Sequence, residues 1–331
     1  MKKNILFLSL LFLISCKGFE IQPLFISILG VEHEQPKLLS YQQDDNNSVI
    51  FTFSKNVNIA HSKVYLSDGR ELIPSIEKIK NAENASDIEH QYLLRINDSL
   101  GIGQPFTVIC DIKDGNYTES IVLDLFGKNN NIASLQLSEY KPTAKTKTVP
   151  YSYFIELIVT KSGNLFENKI GSVGNTKIRD YIFPACEVLE GEVIVVHLSP
   201  KDEGKDVNIL SDELTENISN DIPHARDFYA HFDSNPTNRK SNLIIVEDTN
   251  ENVQDFLYYN TQEYSFDEND FVPDTHIQPY FEKIKSSSYY ESFLEQIKQK
   301  EILKPTGTLS LIKSNGKWVT TKNISPGIKN E

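Results

Sequence analysis

A chain of 331 residues is longer than one compact core usually serves and fits two domains. Hydrophobic residues make up 39% and charge is spread along the whole length, which excludes global disorder. A formal charge of −13 argues against nucleic acid as a partner, because phosphate backbones are bound through Lys and Arg.

The N-terminus sets the expected address. Lys2 and Lys3 precede an apolar core from Ile5 to Ile14, about half of what spans a bilayer as a helix. A processed signal peptide over residues 1–15 is therefore expected in preference to a permanent span. The run closes as Leu13-Ile14-Ser15-Cys16, which resembles the lipobox of bacterial lipoproteins. That resemblance implies cleavage before Cys16 and a diacylglycerol on its sulfur, so Cys16 is the expected lipidation site and the membrane a partner through that lipid. Two or three acyl chains anchor stably where one does not. Lys17, in place of Asp, leans by the same resemblance toward the outer membrane or cell surface over the inner membrane. Loss of residues 1–15 removes Lys2 and Lys3 and takes the formal charge to −15. Anionic lipid would repel such a body, so attachment should depend on the acyl chains.

Residues 16–24 read as a tether and residues 25–131 as a first domain of short strands. Val49 to Ile59 reads as one strand, followed by Lys63–Leu66, a turn at Ser67-Asp-Gly-Arg70, and Glu71–Ile73. Gln91–Ile96, Pro105–Ile112, an Asp114-Gly115 turn and Ser120–Phe126 complete the pattern. Asp-Gly between apolar runs is a hairpin signal, and about seven strands in about a hundred residues point to a sandwich. The stretch Ile50-Phe-Thr-Phe-Ser-Lys-Asn-Val57 resembles a strand of bacterial Ig-like domains.

The joint is expected at Gly127-Lys-Asn-Asn-Asn-Ile132, with the second domain over 132–331. Its centre is Tyr151 to Leu198, three β-branched and aromatic runs separated by Gly, Asn and Pro. Tyr153, Ile155, Leu157 and Val159 share one strand face; Phe154 and Ile158 flank Glu156 on the other. Val193 to Val196 reads as an inner strand. Leu135-Gln-Leu-Ser-Glu139, Phe154-Ile-Glu156-Leu, Ser162-Gly-Asn-Leu, Tyr181-Ile-Phe-Pro, Gly191-Glu-Val-Ile-Val-Val, Trp318 and Ser325-Pro-Gly-Ile-Lys-Asn330 occur in that order. Together they resemble a lamin tail domain, with Ser138 where that family has Asn and Lys313 as the basic residue nearest its usual Arg. The resemblance implies an Ig-like sandwich for binding or scaffolding, with Glu139 and Glu156 structural. The expected fold class is thus all-β, two Ig-like sandwiches in tandem. Two insertions interrupt the second: an acidic, irregular one over 199–242, and a helical one over 277–303, near the C-terminus. In the latter, Tyr280, Phe281, Ile284, Phe293 and Ile297 recur at helical spacing, with a break at Ser286-Ser-Ser.

Candidate sites are few. His197, His224 and His231, with Asp227 and Asp233, are the clustered potential zinc ligands, but their spacing fits no short zinc motif and a solvated loop is expected instead. Asp248 to Asp255 superficially resembles a calcium loop; Val253 and Tyr259 stand where an EF-hand needs Gly and Glu. The turn of a hairpin Leu243–Glu247/Val253–Tyr259 is the plainer reading. Glu139 and Glu156 form a possible acid–base pair, expected to bond to backbone amides or a basic side chain. Cys110 and Cys186 sit in apolar runs as small buried hydrophobes. Tyr258, Tyr259 and Tyr264 could form a glycan platform if exposed. No P-loop, Gly-x-Ser-x-Gly, His-Glu-x-x-His or Gly-x-Gly-x-x-Gly occurs.

The expectation is therefore a lipid-anchored cell-envelope protein that binds or scaffolds an unknown protein or glycan, with no catalytic, cofactor or metal site. The rival readings are a hydrolase or its accessory, and a carbohydrate-binding module.

Overall fold

The computed structural model describes residues 35–79, 90–115, 117–142, 153–174, 177–198, 225–230, 241–260, 278–298, 303 and 308–327. Strands dominate, and two helices occur among the described residues. The all-β class expected from sequence is met at that level.

Two four-stranded antiparallel sheets enclose the first core. One contains β1 (Leu38–Asp45), β2 (Ser48–Phe53), β5 (Ser75–Lys78) and β6 (His90–Arg95), in the order β1-β2-β6-β5. The other contains β3 (Asn58–Leu66), β4 (Glu71–Leu72), β7 (Pro105–Asp114) and β8 (Tyr117–Phe126), in the order β4-β3-β7-β8. Alternation explains the burial: Phe106, Val108, Cys110 and Ile112 of β7 face Val49, Phe51, Phe53, Val64 and Leu94 in one apolar cluster. The single strand expected over Val49–Ile59 is in fact two, β2 and β3, in different sheets. The chain crosses at Ser54 to Val57, pinned by Tyr92. Its hydroxyl accepts from Val57 N (3.0 Å) and lies 2.6 Å from Val57 O and 2.7 Å from Asn56 Oδ1. Strands β1 and β5 were not expected, since polar residues dominate both.

The stretch from Gly127 to Asn131 is closely bonded. Gly103 N donates to Gly127 O (2.7 Å) and Gly127 N to Gln104 O (2.9 Å). A Cβ on Gly127 would lie 1.9 Å from Gly101 O, so only glycine fits. Asn129 is buried and donates to Asn164 O and Phe166 O, both at 2.9 Å.

Beyond the joint lie a six-stranded and a four-stranded sheet. The larger contains β9 (Ser134–Lys141), β10 (Phe154–Lys161), β15 (Val193–His197), β16 (Ala225–Tyr229), β19 (Ser310–Ser314) and β20 (Lys317–Thr321), in the order β16-β15-β10-β9-β19-β20. The smaller contains β12 (Lys169–Gly174), β13 (Lys177–Ile182), β17 (Ser241–Glu247) and β18 (Val253–Asn260), in the order β13-β12-β17-β18. A short pair joins β11 (Gly163–Asn164) to β14 (Glu187–Val188). Leu135, Leu137, Ile155, Leu157 and Val159 meet Ile170, Ile244, Val246, Leu257 and Tyr259 between the sheets. The other face of β17 and β18 presents Leu243, Ile245 and Phe256 to α1 (Gln278–Lys285) and α2 (Tyr290–Lys298), whose Tyr280, Phe281, Ile284 and Phe293 cover them. Burial on both faces is why Leu243-Ile-Ile-Val246 reads as a continuous apolar run. The helices part at Ser286–Ser288 as expected, and Ser287 Oγ accepts from Tyr289 N (3.1 Å) at the start of α2. On the outer side of the larger sheet, Phe154, Val195 and Ala225 lie under Ile324.

A second expectation also fails. The 199–242 stretch is not irregular throughout: Ala225–Tyr229 is a fully buried strand, paired in parallel with β15. Its polar residues explain the misreading, because Arg226 and Asp227 occupy sheet positions that an apolar-run search passes over.

Candidate functional site

The outer face of the six-stranded sheet gathers charge where a solvent-facing strand would normally be bare. Glu156 of β10 pairs across the ladder with Glu139 of β9, and both are fully buried. The ladder slips between Glu156 and Leu157, a bulge that re-aims the neighbouring side chains. Glu139 accepts from the Ser310 hydroxyl, from Ser325 N (3.1 Å) and from Ser325 Oγ (3.3 Å). Glu156 Oε2 accepts from Gly327 N at 2.6 Å. Burial, followed by the charge of Glu139, pushes the Glu156 carboxyl up to about 8; bonds from Ser138 and Gly327 oppose the shift. Two carboxyls side by side have acid–base capacity in principle. Here both lie under the Ser325–Gly327 segment, whose Pro326 and Gly327 are themselves buried. The work these bonds perform is to hold that segment on the sheet.

One register step along, His197 of β15 faces Tyr229 of β16, and its Nε2 lies 2.8 Å from Asp227 Oδ1. The imidazole stacks on the Tyr229 ring, with centroids 4.7 Å apart. The expected solvated loop around Asp227 is thus replaced by a buried His–Asp pair between parallel strands. His224, His231 and Asp233 lie outside the described residues. Among the described residues no group of three His, Cys, Asp or Glu side chains is placed to hold a metal ion.

Two further buried acids tie layers together. Asp255 of β18 accepts from Leu137 N (2.8 Å) of the opposite sheet and from Lys313 Nζ, at 3.0 and 2.9 Å from its two oxygens. Its neighbour Gln254 accepts from Leu135 N and donates to Ala133 O. These side chains satisfy backbone donors of β9 that β19 does not reach, since β19 pairs with β9 only at Tyr140 and Glu139. Glu247, fully buried at the end of β17, receives Lys169 (2.9 Å) and Lys283 of α1 (2.6 Å). Tyr280 of α1 donates to Asp180 of β13. Its ring lies over Gly171, where a Cβ would sit 2.6 Å from Cε1. Charge and a bare glycine together seat the helix.

The remaining candidates settle simply. Asp248 Oδ1 accepts from Asn250 N (2.8 Å) and Asn252 N (2.9 Å), closing the β17–β18 hairpin as expected, with Glu251 at φ 61. Cys110 and Cys186 are buried thiols, and burial pushes the Cys110 thiol up to about 12. Tyr259 is in the core and Tyr258 packs on Phe293, so neither belongs to an open glycan platform; Tyr264 lies outside the described residues. A cleft of about 340 Å³ is lined by Gln136, Ser138, Thr160, Glu190, Lys313 and Asn315, at one end of the larger sheet. No helix among the described residues is long and apolar enough to cross a membrane. Sequence reasoning missed Lys141, Glu247 and Asp255 as buried charges. The usable signal was a lone charge inside or ending an otherwise apolar strand.

Comparisons with known proteins place this geometry in context. An uncharacterized protein of Treponema pallidum (strain Nichols) is 36% identical over 262 residues, 72% of this chain. The chain spans 65% of that relative's length. Among solved structures, the N-terminal part of the bacterial S-layer protein SbsC is 14% identical, over 70% of this chain and 45% of its own, at a TM-score of 0.24. A DUF4785 family protein from Legionella pneumophila is 11% identical, over 66% of this chain and 55% of its own, at 0.22. Likenesses at those TM-scores carry no argument here. The family model TP_1001_2nd, described as "protein second domain", matches residues 133–324. That span contains both large sheets, the helices and the buried charges, and the chain belongs to this family.

Proposed function

We propose that this is a lipid-anchored protein of the cell envelope, attached through Cys16, whose output is binding or scaffolding without catalysis. In this reading the chain carries two Ig-like sandwiches in tandem, and the second is of the lamin-tail type. The observation that carries the reading is the commitment of the buried acids. Glu139, Glu156, Glu247 and Asp255 each spend their oxygens on amides, hydroxyls or lysines that join strands, a helix or the C-terminal segment. Groups fixed in that way serve shape, and a chain with two packed cores suits presentation of a surface. The matching family's description as a second domain accords with a tandem arrangement. The apolar run ending at Cys16, with an acidic body behind it, supports the acyl anchor.

Metabolic labelling with an alkyne palmitate analogue tests the anchor. Incorporation that Cys16→Ala abolishes is expected; absence of label, or label that survives the substitution, contradicts it. A screen of the purified chain against phosphoester, ester and glycan substrates tests the second half, and turnover lost in Glu156→Gln would contradict a purely structural carboxylate pair.

A further inference from the structure

Strands β1 and β8 each end their sheet. They do so on the same side of the first unit, where Lys128 Nζ, just past β8, reaches the Asp44 carbonyl of β1 at 3.1 Å. Among the described residues no strand pairs with the outer edge of either. Tyr41 stands opposite Phe51, and Ile121 and Leu123 stand opposite Cys110 and Val108. Directly opposed residues share a face, so all three turn toward the core. Yet Tyr41 is 49% exposed, and Ile121 and Leu123 are only partly buried, while Phe51, Cys110 and Val108 are shut away. Gln43, on the same inner row opposite Val49, has a buried Nε2 with no hydrogen-bond partner.

The opposite side is built differently. There β4 and β5 span two and four residues, with Lys63 paired to Glu71 and Lys78 bonded to Asn56. Short, lysine-bearing edges are the usual protection against strand addition. β8 is ten residues long, and β1 and β8 together hold Asp44, Asp45, Glu119 and Asp124 with no Lys or Arg. Asp111 of β7 adds a fifth carboxylate, bonded to Ser120. Nearby cations are Lys113, exposed on β7, Lys55, held by Asp114, and Lys128.

We propose that the β8 edge receives an extended segment of a partner protein as an added strand, apolar on the side turned inward and basic elsewhere. Inward apolar side chains would cover Tyr41, Ile121 and Leu123, the unpaired backbone of β8 would supply the ladder, and the carboxylates of the outward row, Asp124 of β8 and Asp111 of β7, would select for Lys and Arg. A second copy is a poorer occupant, because it brings the same acids against themselves. The inference rests on the binding role proposed above but not on the acyl anchor, so failure of the labelling test leaves it standing.

The test uses the full chain and two fluorescent nine-residue probes, one alternating Lys and Val, the other Glu and Val. The Lys–Val probe should bind, weaken with added salt, and slow hydrogen exchange in β8 while β4 and β5 are unchanged. The Glu–Val probe should bind at least tenfold more weakly, and Asp111→Lys with Asp124→Lys should invert that order. Because the probe series on the unaltered chain needs no variant, misfolding of the double variant does not blunt the test. Binding of neither probe, equal binding of both, or protection away from β8 overturns the proposal. So do outward-pointing β8 amides, those not bonded to β7, that are already slow in the free monomer, and a dimer that Val122→Lys dissociates.

Discussion

The two cores of this chain solve the same packing problem with different use of charge. In the first, among the described residues, only Ser48 and Thr52 are buried polar side chains, and ion pairs such as Lys63–Glu71 and Arg95–Glu77 sit in solvent. In the second, Glu139, Lys141, Glu156, His197, Arg226, Asp227, Glu247 and Asp255 are all buried. The difference follows from layering. Each sheet of the first unit keeps an outer face in water, so charge there stays hydrated. The second unit covers the outer faces as well, one with α1 and α2 and the other with the segment around Ile324. Strand positions that would have been solvated are thereby enclosed, and the acids there persist only with full sets of partners. Their benefit is placement: Glu139 and Glu156 fix the C-terminal segment on one sheet, Glu247 fixes α1 on the other, and Asp255 ties the two sheets together.

Substitutions that remove a partner should separate the two regions, and the only Trp of the chain, Trp318, lies in the second core and reports on it alone. The largest effect is expected from Asp255→Ala, which strands Lys313 and the Leu137 amide. A loss of about 3–5 kcal/mol is expected, read as an earlier urea midpoint of Trp318 fluorescence. A loss below about 1 kcal/mol would deny the cross-sheet tie its role. Gly171→Ala should cost about 1–3 kcal/mol by driving a methyl into Tyr280. Its signature is faster hydrogen exchange confined to α1 and α2, and unchanged exchange there would mean that Gly171 does not seat the helices. The smallest effect is expected in the first unit. Glu71→Ala breaks a pair open to solvent and should leave the unfolding midpoints within error; a clear shift would erase the contrast between the regions.

Much of this architecture was legible. Alternation in β7, β10 and β15 placed their inner faces, the Asp-Gly and Asp248 turns marked hairpins, and helical spacing gave α1 and α2 with their break. The misses share a cause. Val49–Ile59 looked like one strand because β propensity is blind to which sheet a residue joins, and the cross-over at Ser54–Val57 depends on Tyr92, far along the chain. Ala225–Tyr229 looked like a loop because Arg226 and Asp227 are polar, and only their partners, Glu192 and His197, make a buried strand there tolerable. For the candidate site, the pairing of Glu139 with Glu156 and their bonds to amides agree with the expectation from sequence. Glu247 and Asp255 carried the signal of a lone charge in or ending an apolar strand, but their partners could not be named, since Lys169, Lys283 and Lys313 come from elements far away in the chain.

The central claim, that the enclosed acids clasp structure in place, is tested most directly by the pH dependence of Trp318-detected unfolding in the native chain and in Glu156→Gln. The Glu156 carboxyl is raised from 4.5 to about 8 in the folded state. Above pH 4.5 the unfolded chain therefore binds fewer protons than the folded one, and stability must fall as pH rises toward 8. The native chain is expected to lose a few kcal/mol between pH 5 and pH 8, whereas Glu156→Gln, neutral throughout and still able to accept from Gly327, should lose much less. A native profile that is flat or rises over that interval, or a Glu156→Gln profile as steep as the native one, would contradict the account.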